Sequence, residues 1–63
     1  MSLYDYQRAR EFTLSDAPFY ALVMAAMMRA DTCNEALLRR AFPAVWAEVH
    51  ARYDAPGGRL EGE

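Results

Sequence analysis

Cys33 and His50 are the only thiol and the only imidazole in the 63 residues. Nucleophilic catalysis needs an activated nucleophile beside a base. Cys33 sits near the start of an expected helix, where the helix dipole favours the thiolate. His50 lies on a different expected helix, and nothing in the spacing unites the two. They read as a capping-turn thiol and a boundary histidine. One His and one Cys cannot fill a zinc site from a single chain, and Glu48 and His50, two apart, point to different helix faces. Gly57-Gly58 closes a helix rather than opening one, so no phosphate-binding loop is expected. The reading is of a non-enzymatic chain with no catalytic residue, no metal ligand and no cofactor site.

The remaining candidates are binding groups. All seven basic residues are Arg. Arg39 and Arg40, with Arg29 across the intervening turn, could hold a phosphate or an acidic partner; a solvated face is the plainer reading. An oligomer would multiply this trio around a symmetry axis and so build a pocket for a small anionic ligand such as a nucleotide. Among the aromatics, Trp46 and Tyr53 are expected in the core or at a subunit interface, and Tyr4 and Tyr6 partly exposed. Met24, Met27 and Met28 suit a core, or else an adaptable binding surface; the core is favoured. A helix-turn-helix is disfavoured, because the would-be reading helix carries Trp46, Glu48 and one Arg, and the net charge is −2.

The element that must organise these groups is Ala17 to Met28, APFYALVMAAMM, twelve residues without a charge. Ala, Leu and Met favour a helix, and Val23 is the only β-branched residue in the run. Ser15 or Asp16 can cap its start, Pro18 is tolerated in a first turn, and Arg29 suits its C-terminal end. Apolar on all sides, it is expected to be buried on most of them. Twelve residues rise about 18 Å, too short for a bilayer core of about 30 Å.

Three amphipathic helices should surround this central one, itself expected over about 17–30. The first, over 2–12, opens on Ser2 and Asp5, a capping-box pattern, with loose apolar spacing through Leu3, Tyr4, Tyr6, Ala9 and Phe12. The third opens on Thr32, with Glu35 completing a second capping box, and runs through Ala41; Glu35 and Arg39 have the spacing of a favourable i,i+4 pair. Pro43 begins the fourth, about 43–53, where Val45, Trp46, Val49 and Tyr53 share a face and Glu48 pairs with Arg52. Asp54 to Gly58 contains stop signals. The expected fold class is all-α: a compact bundle of three to four short helices, one domain over 1–58, with a mobile polar tail over 59–63.

Composition bounds the function further. A chain of this size buries only about 60% of its unfolded surface and is marginally stable. Yet 54% of its residues are apolar, enough to leave some at the surface for a partner. A single cysteine permits no intrachain disulfide, which fits a reducing compartment. The N-terminal MSLYDYQRAR has no basic stretch followed by an apolar one, so no signal peptide is expected. The expected location is cytoplasmic.

Residues 18–58 also carry a recognisable spelling: Pro18-Phe19-Tyr20-Ala21-Leu22, Met24-Ala25-Ala26-Met27, Ala30-Asp31 with Asn34, Ala41-Phe42-Pro43, and Ala51-Arg52-Tyr53 with Pro56-Gly57-Gly58. This resembles a family of short proteins of uncharacterised activity from bacterial and phage genomes. The resemblance implies no chemistry, but it suggests a phage or prophage accessory factor. The leading expectation is a helical protein that modulates a host protein by covering a functional surface, through an apolar patch from helices two and four. Self-association is expected. The alternatives are an oligomeric binder of a small anionic ligand and a small DNA-binding regulator.

Overall fold

A computed structural model describes residues 1–63 as four α-helices and one short 3-10 turn: α1 Leu3–Thr13, α2 Phe19–Arg29, α3 Thr32–Ala41, α4 Pro43–Asp54, then Pro56–Gly58. No helix is long and apolar enough to cross a membrane. The all-helical expectation holds, with boundaries displaced by a residue or two.

The helix starts follow local chemistry, in one case at a different residue from the expected one. Ser2 accepts from the Asp5 amide while the Asp5 carboxylate accepts from the Ser2 amide, a complete capping box. α2 differs: its N-cap is Pro18, with no side-chain cap. Ser15 instead donates to the Phe12 carbonyl, closing the end of α1. On α3 the cap is Asp31, whose carboxylate accepts from the Asn34 amide at 2.8 Å. Thr32 therefore lies inside the helix, and the expected Thr32–Glu35 capping box does not form. Asp31 is at least as good a cap as Thr and takes the position first. Pro43 occupies the first turn of α4 as expected.

Packing is concentrated on α4. Helices α2 and α3 both lie against it and touch each other, and the turn at Pro56–Gly58 folds back onto it. The buried centre is Val23, Met27 and Val49, flanked by half-buried Met24, Leu38, Phe42, Val45 and Trp46. Val23 and Met27 fall one helical turn apart, on one face of α2, and meet Val49 across the α2–α4 seam.

The central helix is not enclosed on most sides. Phe19, Tyr20 and Met28 remain exposed. The cause is α1: no α1 Cα lies within 8 Å of a Cα in another helix, and every α1 residue is exposed. With α1 standing off, α2 has neighbours along one side only. The molecule is correspondingly long, 41 × 28 × 17 Å.

Gly57 (φ 62°) and Gly58 (φ 71°) both adopt the left-handed backbone region, which glycine enters without steric cost. This reversal brings the Gly58 carbonyl to the Arg52 guanidinium at 2.8 Å. Arg52 also binds Glu63 at 2.7 Å and Glu48 at 3.2 Å. Through these bonds residues 59–63 lie against the end of α4.

Candidate functional site

Rotating 100° per residue, α2 divides into three rows. Val23 and Met27 form the buried one. Leu22, Ala26 and Arg29 line an open groove of about 750 Å³ beneath α1, opposite Tyr4, Arg8 and Phe12. Tyr20, Met24 and Met28 form the third row, beside α4 and on the far side from α1.

That third row makes the candidate interaction face. It borders two shallow depressions along the α2–α4 seam. One, of about 270 Å³, is lined by Tyr20, Met24, Ala44, Val45 and Glu48. The other, of about 200 Å³, is lined by Met24, Met28, Val49, Arg52 and Tyr53. Met24 lines both. Tyr20, Met28 and Tyr53 are 53%, 63% and 81% exposed, which places Tyr53 outside the core. Glu48 and Arg52 form an ion pair at the edge. The result is a thioether and aromatic surface with a polar rim, the composition typical of protein interfaces.

A second cluster ties α3 to α4. The Trp46 indole donates to Glu35 at 3.3 Å. His50 stacks on Trp46 with ring centroids 3.9 Å apart, its Nδ1 lies 3.1 Å from the Trp46 carbonyl oxygen, and its Nε2 lies 3.6 Å from Glu35. The Arg39 guanidinium covers the Trp46 ring at 4.3 Å from its centroid, a cation–π arrangement. The expected Glu35–Arg39 pair is therefore not made: each side chain turns to Trp46 instead. The contact between Glu35 and Trp46 leaves no signal in the sequence, because the two are eleven positions apart.

The remaining candidates are dispersed. Arg29 and Tyr4 line the α1–α2 groove, whereas Arg39 serves the Trp46 cluster. Arg40 and Tyr6 are exposed. Cys33 is a free, exposed thiol on α3, and His50 is engaged with Trp46 and Glu35. No three His, Cys, Asp or Glu side chains are grouped so as to hold a metal ion. The largest electrostatic perturbation lies at the C-terminal end: the Arg52 guanidinium and, next, the Leu60 amide hold the Glu63 carboxyl down to about 2, while Glu63 and Glu48 raise Arg52.

No protein-family model, curated protein or solved structure matches the chain.

Proposed function

We propose that this chain is a non-enzymatic binding protein that acts by occupancy, laying the Tyr20–Met24–Met28 row of α2 and Tyr53 of α4 over an apolar surface of a target protein. The observation that carries the reading is the continuity of that row with two depressions along the α2–α4 seam. Large apolar side chains exposed side by side cost solubility unless something covers them, and clefts beside aromatics are where interface anchors seat. The setting we propose is a phage or prophage product acting on a host protein, which rests on the resemblance of residues 18–58 alone.

The experiment is affinity capture from bacterial lysate by the immobilised chain and by a Met28→Glu/Tyr53→Glu variant. Both side chains point outward, so the variant keeps its helical circular dichroism. The expected result is one protein recovered at stoichiometric yield by the native chain and lost with the variant. Equal recovery by both, or by neither, overturns the reading.

A further inference from the structure

The face just described does not account for α1. This helix exposes Leu3 (70%), Tyr4 (68%), Tyr6 (61%) and Phe12 (52%), yet it approaches no other helix closely. An isolated helix of 11 residues is marginal in water, so α1 needs a covering surface to persist. Its own chain does not supply one. The segment after it is fixed locally: Leu14 and Ser15 amides bond back to Glu11 and Phe12 carbonyls, Ser15 caps from its side chain, and Pro18 is extended at φ −68°, ψ 160°. Between α1 and α2 the groove is open.

Surface area favours a second copy as the occupant. A compact monomer of 7.2 kDa is expected to expose about 4,100 Å² and to have a radius of gyration of about 11 Å. The chain exposes 5516 Å² with a radius of 13.3 Å, an excess of about 1,400 Å² over that scaling. Twice this excess, about 2,800 Å², lies in the range of obligate homodimer interfaces.

We propose that α1 is a dimerisation arm. Two copies associate about a twofold axis, and the arm of each enters the α1–α2 groove of the other. The spacing of α1 suits this double use. Tyr4 and Phe12 line the groove from within. Leu3 and Tyr6 lie on the opposite side of the same helix, at 100° per residue, and are free to enter the groove of a second copy. An isologous contact of this kind needs one self-complementary patch and closes at two. The low net charge of −2 imposes little repulsion between copies. The product is a four-helix arrangement of two α1–α2 pairs, in which each copy completes the other's layer.

The test is molecular mass by sedimentation equilibrium over a wide concentration range, on the full chain and on a Leu3→Glu/Tyr6→Glu variant. Neither side chain belongs to the buried cluster, so Trp46 fluorescence reports that the α2–α4 fold is intact in both. The expected result is twice 7.2 kDa for the native chain and a twofold drop in mass for the variant, with Trp46 emission unchanged. A mass of 7.2 kDa at every concentration overturns the proposal, as does a dimer that survives both substitutions. The arm lies on the far side of α2 from Met28 and Tyr53, so this outcome and that of the capture experiment are read separately.

Discussion

Trp46 donates its indole N–H to the carboxylate of Glu35 at 3.3 Å, joining the first turn of α3 to the first turn of α4. The same carboxylate lies 3.6 Å from the His50 Nε2, one turn further along α4. A partly buried hydrogen bond of this type contributes about 1 kcal/mol. Glu35→Ala should lower stability by about that amount, about 4–8 °C in melting temperature for a domain of this size. Glu35→Gln keeps the acceptor and should lose less. Thermal denaturation followed by Trp46 fluorescence checks both; equal losses would show that the carbonyl-type acceptor is not what matters.

Only three residues are buried, with Met27 at 6% the most deeply so. Met27→Ala removes a large share of this small core and should cost about 2–5 kcal/mol. Domains of this size have little stability to lose. The variant should show reduced helical circular dichroism at room temperature, whereas Met28→Ala, at an exposed position of the same helix, should not.

The position of the C-terminal end depends on pH through Glu63. Its carboxyl is held down to about 2, against 4.5 for the unperturbed group, first by the Arg52 guanidinium. A depressed value means that the ionised form is favoured in the folded state, so the contribution is full above 4.5 and is lost as the pH falls through about 2. The Leu60 amide donates to the Glu63 carboxylate and reports this event. Its chemical shift should titrate near pH 2 in the native chain and move towards 4.5 in Arg52→Gln.

The two candidate caps of α3 can be separated by substitution. Asp31 accepts from the Asn34 amide, so Asp31→Ala should cost about 1 kcal/mol. Thr32→Ala, now inside the helix, should be neutral or slightly stabilising, since Ala is the better helix former. Urea denaturation of the two variants provides the comparison.

Amide exchange should divide the chain in two at low concentration. Residues of α2 and α4 around Val23, Met27 and Val49 should exchange slowly, because their opening requires loss of the core. Residues of α1 should exchange quickly when the chain is dilute and slow as its concentration rises. A slow α1 at every dilution would mean that the arm docks on its own chain.

Much of the architecture was legible in local patterns. The uncharged run after Asp16, the Ser2–Asp5 pair, Pro43 and the Asp54–Gly58 stop are short-range features, and the forces behind them act within one or two turns. They determined an all-helical chain of three to four short helices and their approximate limits. Tertiary structure alone decided which side of α2 is buried, because an apolar helix has no polar face to orient it. It also decided that Glu35 turns to Trp46 rather than Arg39, since a partner eleven positions away leaves no periodic trace. Finally it decided that α1 stands apart, leaving the Leu3–Phe12 surface uncovered: local spacing shows that a helix has an apolar side, but only the packing of the other helices shows whether anything in the same chain reaches it.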